Sequence, residues 1–186
     1  MSVKLIDSPI KNLLVLKNES FSDSRGYFKE IYHTNEFIDV GINKPFLQDN
    51  LSHSRNNVLR GLHYQLKHPQ GKLIQVISGE IFDVAVDIRK GSPTFGKWFG
   101  ISLSEENNML LYVPEGFAHG FCVTSNTAHV YYKCTDIYYS DDQYGIIWND
   151  PDIKIKWPVD TPSLSAKDSD NPYLSELSVE ELPTLD

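Results

Sequence analysis

The chain has 186 residues, of which 40% are hydrophobic, and it carries a formal charge of -8 at pH 7. This length predicts one domain, residues 1–186, with a core of its own. The charge argues against general binding to nucleic acids or anionic membranes, although it allows a local basic pocket. No run reaches the roughly 18 apolar residues of a membrane span, and the N-terminus has no apolar stretch of signal-peptide length. We therefore expect a cytoplasmic protein.

Short strand-like runs follow one another along the chain and are separated by turn residues. They are Leu13–Leu16, Tyr27–Tyr32, Leu73–Ile77, Glu80–Arg89, Trp98–Leu103, Met109–Val113, Gly120–Thr124 and Ala128–Tyr139. Strands of this length and spacing are typical of an antiparallel sandwich or barrel. Helical patterning is weak and is confined to Asn35–Val40 and the C-terminal tail. The sequence therefore predicts an all-β double-sheet roll with short peripheral helices.

The run Glu80–Arg89 shows the clearest alternation between two faces of a strand. One face carries Phe82, Val84, Val86 and Ile88, and the other carries Ile81, Asp83, Ala85 and Asp87. Alternation with a period of two indicates a strand with distinct inner and outer faces. In the run Ala128–Tyr139, Tyr132 shares a face with Val130 and Cys134, which predicts a phenol either in a cavity of the roll or in its core.

Two further features concern the cysteines and the C-terminus. Cys122 and Cys134 lie in apolar, strand-like settings without CxxC spacing. They are therefore interpreted as buried free thiols, with a disulfide as the alternative. Residues 173–186 form an acidic tail, in which SELSVEELPTLD has four acids and no base. Such a tail is typical of a solvated helix or a frayed end.

Polar groups interrupt two segments that otherwise resemble strand and tight turn, LRGLHYQLKHPQGK (Leu59–Lys72) and VPEGFAHG (Val113–Gly120). The groups are Arg60, His63, Lys72 and His119. A core excludes such side chains unless they are paired. Four cationic or titratable groups with few acids beside them predict a pocket for an anionic substrate.

The spacing of Arg60 and His63 raises a question of geometry. On a regular strand these two side chains point to opposite faces. Gly61 lies between them and permits a bulge or a twist that would turn both toward one cavity. We therefore expect a distortion of the strand at Gly61.

A metal site of the cupin type is not expected. Metal-binding β-barrels of that type use an HxH pair, a downstream Glu and a later His. Here His63 is followed by Tyr64 and Gln65, so the first pair is missing, and only His119 corresponds to the later His. One or two imidazoles without a suitably spaced carboxylate bind a divalent ion poorly.

A site without metal must move protons with side chains. An imidazole such as that of His63 can accept a proton at neutral pH. The ammonium of Lys72 could stabilise an oxyanion, and Tyr132 could deliver a proton from another direction. Taken singly, each residue also has a structural interpretation, as a strand histidine, a turn lysine or a core tyrosine.

Eight segments, in this order and spacing, resemble the dTDP-4-dehydrorhamnose 3,5-epimerase family. They are FSDSRGYFKE (Phe21–Glu30), FLQDNLSHS (Phe46–Ser54), VLRGLHYQ (Val58–Gln65), QGKLIQVISGEIFDVAVDIRKGSPTFGKW (Gln70–Trp98), VPEGFAHGF (Val113–Phe121), YYKCTDIYY (Tyr131–Tyr139), GIIWNDP (Gly145–Pro151) and LSAKD (Leu164–Asp168). The resemblance extends to about Pro172. It implies a jelly-roll fold of the cupin type, a homodimer, and no metal or organic cofactor.

The resemblance also implies roles for particular residues. His63 would be the general base, paired with Asp168, while Tyr132 would be the acid on the opposite face of the sugar and Lys72 would stabilise the enolate. Positions that would bind the nucleotide sugar are Arg25, Glu30, Gln48, Asn50, Arg60, His119 and Lys167. Part of the site, around Phe21 and Phe28, would come from the partner subunit, and Tyr138 would lie near the thymine. The implied reaction converts dTDP-4-dehydro-6-deoxy-D-glucose to dTDP-4-dehydro-L-rhamnose.

Gln143 departs from the family pattern. The family usually carries an acid two residues before the glycine of GIIWNDP, whereas this chain has Gln143 there. An amide both donates and accepts hydrogen bonds, so the contact with the nucleotide sugar, and with it the base or sugar preference, is open to change. Asp141 and Asp142 are the neighbouring acids that could substitute.

Four other functions compete with the 3,5-epimerase. A mono-epimerase would invert only C3 or only C5, and the motifs do not distinguish it. A 3,4-ketoisomerase of the same fold is disfavoured by the matches at Tyr132 and Lys72. A non-catalytic nucleotide-sugar-binding roll would have little use for the four predicted catalytic residues. A metal-dependent cupin oxygenase ranks last.

Overall fold

The computed structural model describes residues 2–185, and its regular elements are mainly antiparallel strands. The strands are β1 (Val3–Ile10), β2 (Leu13–Asn18), β3 (Phe21–Asp23), β4 (Gly26–Phe28), β5 (Gln48–Arg55), β6 (Leu59–Gln65), β7 (Lys72–Ser78), β8 (Glu80–Asp87), β9 (Trp98–Ser104), β10 (Met109–Val113), β11 (Phe117–Val123), β12 (Thr127–Cys134) and β13 (Gln143–Gly145). The helices are α1 (Thr34–Asp39) and α2 (Ala166–Ser169). The predicted all-β roll and the helical turn near Asn35–Val40 are both confirmed.

Two sheets form the roll. One has six strands in the order β1-β2-β10-β7-β12-β5, and the other has five in the order β13-β6-β11-β8-β9. Ile74 and Val130 of the first sheet pack against Ile81, Ala85 and Phe121 of the second in one apolar core. The alternation predicted for β8 is confirmed, because Ile81 and Ala85 face this core while Phe82, Val84 and Val86 pack on the other face of the sheet.

The outer faces of both sheets are also largely covered. Helix α1 places Phe37 on the six-stranded sheet, against Leu73 and Leu110.

Cys122 and Cys134 are both buried and unpaired, which confirms their interpretation as free thiols. In the part of the chain that the structure describes, no helix is long and apolar enough to cross a membrane.

The C-terminal tail packs on the five-stranded sheet. It contains two short 3₁₀ turns, Leu174–Glu176 and Val179–Glu181. Three leucines of the tail contact the outer face of the sheet, Leu174, Leu177 and Leu182. The expectation of a solvated helix or frayed end is therefore wrong for residues 173–185, because the leucines bury apolar area. Asp186 lies outside the described residues.

Strand β6 has a bulge at Gly61, where it pairs with β11. His63 pairs with His119 and Arg60 pairs with Phe121, so β6 uses one residue more than β11 across this interval. Gly61 has φ +119°, a conformation that a side chain would strain, and a Cβ there would lie 2.6 Å from Gly120 Cα. The expected distortion is confirmed, and Arg60 and His63 line the same cavity.

Replacing Gly61 by Ala should destabilise the fold more than the same change at Gly26. Both glycines have a positive φ, but a Cβ at Gly26 would meet no atom within 4 Å. G26A should lower the free energy of unfolding through backbone strain alone, by about 1–3 kcal/mol. G61A should lower it by about 1–3 kcal/mol more, because the added Cβ overpacks the contact with β11. Urea unfolding of both variants at equal protein concentration measures the difference. Equal losses would contradict the close packing of β6 against β11.

Candidate active site

Two adjoining cavities open between the sheets. The larger has a volume of about 440 Å³ and the smaller about 250 Å³. Four residues line both of them, His63, Lys72, Tyr132 and Gln143. Of the other predicted site residues, the larger cavity contains Arg60, His119, Lys167 and Asp168, and the smaller contains Gln48 and Asn50. Strands of both sheets and the loop into α2 thus converge on one cleft.

His63 forms a dyad with Asp168. His63 comes from β6, and Asp168 comes from α2, where Ser165 caps the helix by accepting a hydrogen bond from the Asp168 backbone N–H. The Nε2 atom of His63 lies 2.5 Å from Asp168 Oδ1. Because a carboxylate only accepts hydrogen bonds, Nε2 carries the proton and Nδ1 remains free as a base. This pairing matches the one that the family resemblance implies.

The electrostatics of Asp168 favour its charged form. Burial alone would raise its pKa, but hydrogen bonds from His63, Ser165 and the backbone of Gly61 hold the pKa below its usual value. Asp168 is only 4% exposed. A fixed negative charge therefore lies beside the imidazole and stabilises the imidazolium that forms when His63 accepts a proton.

A second imidazole-carboxylate pair lies on the neighbouring strands. His119 Nε2 of β11 lies 2.9 and 3.1 Å from the two carboxylate oxygens of Asp83 in β8. Both residues are buried, and Asp83 is fully inaccessible. The predicted scarcity of acids around the cationic groups is therefore wrong, because each of the two histidines has its own carboxylate partner.

Lys72 lies at the start of β7 and lines both cavities. Its removal from water lowers the pKa of the ammonium, while Cys134 and the negative charge of Asp83 act in the opposite direction. Asp83 thus helps to keep Lys72 protonated. An ammonium in this position can donate hydrogen bonds to an oxygen that gains negative charge.

Tyr132 comes from β12, in the sheet opposite to that of His63. Burial raises the pKa of its phenol, and the Cys134 thiol adds to this effect while Arg60 opposes it. The phenol is therefore protonated at neutral pH and can act as a proton donor. Its place on the inner face of the strand confirms the predicted alternative of a phenol that reaches a cavity.

Polar groups at the open side of the cleft form a second set of contacts. Arg60 Nε donates to Ser54 Oγ over 3.0 Å, which leaves the terminal guanidinium nitrogens available. Lys167 Nζ donates to Gln143 Oε1 over 2.9 Å. Gln48 Nε2 donates to Asn50 Oδ1 over 2.8 Å on the floor of the smaller cavity.

Two of the predicted binding residues do not reach the cleft of their own chain. Arg25 lies in the β3–β4 hairpin and pairs with Asp23. Glu30 follows the hairpin and accepts a hydrogen bond from Ser2 Oγ over 2.7 Å. The hairpin also exposes large side chains, since Phe21 is 57% and Phe28 is 71% accessible.

Within the described residues, no group of three or more His, Cys, Asp or Glu side chains is arranged to hold a metal ion. His63 and His119 instead each bond to a carboxylate through Nε2. Each of the two imidazoles is thus paired with a carboxylate, an arrangement that suits proton transfer and charge stabilisation.

Comparison with known proteins identifies the family. Residues 7–176 match the sequence profile described as dTDP-4-dehydrorhamnose 3,5-epimerase. The chain belongs to this family. The resemblance stated from the motifs is therefore confirmed over nearly the whole chain, and the jelly-roll architecture agrees with it.

Individual relatives of the epimerase family agree with this assignment. A dTDP-4-dehydrorhamnose 3,5-epimerase of Shigella flexneri is 50% identical over 168 residues, which cover 89% of this chain and 93% of the relative. One of Neisseria gonorrhoeae is 51% identical over 165 residues and 88% of this chain, which spans about half (50%) of that longer relative. The crystal structure of a 3,5-epimerase from Legionella pneumophila, in complex with dTDP-4-keto-L-rhamnose, superposes with a TM-score of 0.96 at 44% identity and covers 99% of both chains.

Two residues at the cavities of this epimerase-family chain were not singled out from sequence: Asp83, which bonds to the cavity residue His119, and Ser52. Asp83 had a usable signal, because it is a charged residue on the inward face of β8 between Ile81 and Ala85. Ser52 lines the larger cavity, and its buried Oγ has no hydrogen-bond partner among residues 2–185. A buried hydroxyl without a protein partner can be satisfied by water or by a ligand.

Replacing Asp83 by Asn should lower the pKa of Lys72. The loss of the negative charge removes a contribution that raises this pKa, so Lys72 should lose its proton at a lower pH than in the wild type. An NMR titration of the Lys72 ¹³Cε resonance in ¹³C-lysine-labelled protein, assigned with K72R, measures the shift. E80Q, at the beginning of the same strand, should leave the titration unchanged. Identical titrations of wild type and D83N would rule out the coupling.

Proposed function

We propose that this protein catalyses the 3,5-epimerisation of dTDP-4-dehydro-6-deoxy-D-glucose to dTDP-4-dehydro-L-rhamnose without a cofactor. The observation that carries the proposal is the His63–Asp168 dyad, which lines one cavity together with Tyr132 of the opposite sheet and with Lys72. The 4-keto group of this substrate acidifies the protons on C3 and C5, which are both next to the carbonyl carbon. A base, an acid on the other side and an oxyanion donor are the groups that the chemistry requires.

The first step is removal of a proton by His63. With Nε2 engaged by Asp168, the free Nδ1 accepts the proton from the carbon, and the C–H electron pair moves into the enolate. Asp168 stabilises the resulting imidazolium and keeps the ring in one tautomer. Lys72 donates to the enolate oxygen where negative charge develops.

The second step returns a proton from the other side of the ring. Tyr132, with its raised pKa, is protonated at neutral pH and transfers its proton to the carbon as the ketone reforms. Solvent then reprotonates the phenolate and takes the proton from His63. One C–H bond breaks and one forms, no electrons are transferred to another molecule, and the configuration at the carbon inverts.

The nucleotide part of the substrate fits the rest of the cleft. Arg60 and Lys167 supply positive charge to the larger cavity, and guanidinium groups suit phosphate oxygens. Gln48, Asn50 and Tyr138 line the smaller cavity, where amide and phenol groups suit a pyrimidine base. A negatively charged protein can therefore retain affinity for a dinegative diphosphate.

We also infer a cytoplasmic homodimer. The β3–β4 hairpin exposes Phe21 and Phe28 while Arg25 and Glu30 lie outside the cleft of their own chain, which supports insertion of the hairpin into a partner subunit. Each subunit would then complete the site of the other. The unpaired thiols of Cys122 and Cys134 suit a reducing compartment.

The decisive experiment for the reaction is proton NMR of dTDP-4-dehydro-6-deoxy-D-glucose incubated with the protein in D₂O. We expect deuterium at both C3 and C5, with exchange in H63A reduced about 10²–10⁴-fold because the base is lost. H33A replaces an exposed histidine that lines neither cavity and should exchange as the wild type does. Exchange at one carbon alone would indicate a mono-epimerase, and binding without any exchange would refute the catalytic proposal.

Subunit complementation tests the shared site. R25A and H63A should each be inactive, but coexpressed chains form mixed dimers in which one site has both wild-type residues. With random pairing, about a quarter of the wild-type activity should return. R60A with H63A is the matched control and should restore nothing, because both residues lie in the same cavity of one chain. The absence of recovery with R25A and H63A would refute the exchange of hairpins.

A further inference from the structure

A hydrogen-bonded relay of Gly71, Thr135 and Glu115 lies behind the start of β7. The backbone N–H of Gly71 donates to Thr135 Oγ1 over 2.8 Å, and Thr135 Oγ1 donates to Glu115 Oε1 over 2.7 Å. Thr135 directly follows β12, and Glu115 lies two residues after the end of β10. Neither side chain lines the larger or the smaller cavity. The relay therefore connects the ends of two strands to the residue that precedes Lys72.

The chemistry of the three groups fixes the direction of both hydrogen bonds. A backbone N–H only donates and a carboxylate only accepts, whereas a hydroxyl does both. The hydroxyl of Thr135 is therefore an acceptor for Gly71 and a donor to Glu115 at the same time. Lys44 Nζ lies 3.0 Å from the same carboxylate oxygen and helps to hold it in place.

Thr135 holds the backbone of Gly71 at both of its polar groups. Besides accepting from the Gly71 N–H, it donates its own backbone N–H to the Gly71 carbonyl oxygen over 2.9 Å. Thr135 is only 8% exposed, so water competes little for these bonds. A Cβ on Gly71 would lie 2.9 Å from Tyr112 Oη and 3.2 Å from Thr135 Cγ2. The glycine thus allows the chain to pass close to Thr135.

The position of Lys72 depends on this backbone. Lys72 is the first residue of β7 and pairs with Val113 of β10 and Cys134 of β12, each the last residue of its strand. Among residues 2–185, no hydrogen bond holds its ammonium, which interacts with Asp83 and Cys134 through electrostatics alone. The ammonium is therefore placed by the backbone from which its side chain starts.

We propose that Thr135 is a positioning residue for Lys72, which sets the ammonium where the enolate oxygen develops. This inference rests on the proposed function. The hydroxyl of Thr135, oriented by Glu115, fixes the backbone beside Lys72 from outside the cleft. An oxyanion donor contributes only within hydrogen-bond distance of the developing charge. A shift of Lys72 therefore slows formation of the enolate, while binding of the nucleotide is preserved.

The test measures deuterium exchange at C3 and C5 of dTDP-4-dehydro-6-deoxy-D-glucose by the full-length protein, with kcat and KM taken from initial rates. T135V should lower kcat about tenfold, which is a part of the about 10²–10³-fold that an oxyanion donor supplies. KM, and the Kd of dTDP measured by calorimetry, should stay within about twofold of the wild type. T135S keeps the hydroxyl and should retain most of kcat.

T124V is the matched control for the loss of a hydroxyl. Thr124 Oγ1 also donates to a glutamate, Glu80 Oε1, over 2.7 Å, but Thr124 follows the end of β11 and lines neither cavity. T124V therefore loses the same kind of hydrogen bond and should keep the kcat of the wild type. A loss of kcat as large as that of T135V would overturn the specific role of Thr135.

A double-mutant cycle with K72M shows whether Thr135 acts through Lys72. Methionine has no ammonium, so nothing remains in K72M for Thr135 to position. T135V should lower kcat about tenfold in the wild-type background but less than about twofold in the K72M background. An equal fall in both backgrounds would assign the effect to a general loss of packing and would overturn the proposal.

A second variant reaches the same hydroxyl if T135V does not fold, as judged by thermal unfolding. E115A removes the acceptor that orients the Thr135 hydroxyl, and it should lower kcat about threefold. E115Q keeps an acceptor oxygen and should restore the loss. The same kcat in E115A and the wild type would refute the relay.

The outcomes separate this inference from the proposed function. If the wild type exchanges ring protons and T135V does so with the same kcat, only the role of Thr135 is refuted. A wild type that binds dTDP but exchanges no ring protons would overturn the proposed function, and the inference that rests on it would fall as well.

Discussion

The close approach of β6 and β11 is the constraint on which the rest of the site depends. Gly61 and Gly120 face each other there, and a Cβ on Gly120 would lie 2.7 Å from the carbonyl oxygen of Arg60. The extra residue in β6 changes which side chains face inward, so Arg60 and His63 reach the same cavity. The backbone of Gly61 also bonds to Asp168. One backbone distortion therefore orients the imidazole and helps to fix the carboxylate that pairs with it.

Pairing of buried charges explains how a roll with an apolar core can hold so many titratable groups at one end. Asp83 and Asp168 are almost inaccessible to water, and each bonds to an imidazole. A buried carboxylate without such a partner would be unstable as the anion. Lys72 benefits from the same arrangement, because the charge of Asp83 opposes the effect of burial on its pKa. The groups that stabilise the folded site are thus the groups that tune its chemistry.

Much of the fold was predictable because the central strands alternate clearly. The alternation in β8 predicted which of its residues lie on each face, and the glycine between Arg60 and His63 indicated the bulge. The edge strands β1 and β5 were missed, since VKLIDSPI and QDNLSHSR are interrupted by polar residues that edge positions tolerate. Three predicted strands were too long. The hairpin strand ends at Phe28, β8 ends at Asp87, and β12 ends at Cys134, where the chain bends at Thr135 and Asp136.

Side-chain partners were harder to predict than strands, because they depend on contacts between distant parts of the chain. The pairing of His63 with Asp168 was implied only by family resemblance, and nothing in the spacing of the two residues indicated it. Asp83 could have been found from its inward position, but its partner could not. The tail was misjudged because its acids dominate the composition, whereas its three leucines decide where it lies.

The separation of His63 from Asp168 has a consequence for the order in which the site is assembled during synthesis. The two residues lie 105 positions apart, so the imidazole leaves the ribosome well before the carboxylate. The five-stranded sheet supplies the imidazole, and α2 supplies the carboxylate. A nascent chain that ends between β6 and α2 thus carries a base without its carboxylate. Competence for proton abstraction is acquired only when α2 has been made and has packed beside β6.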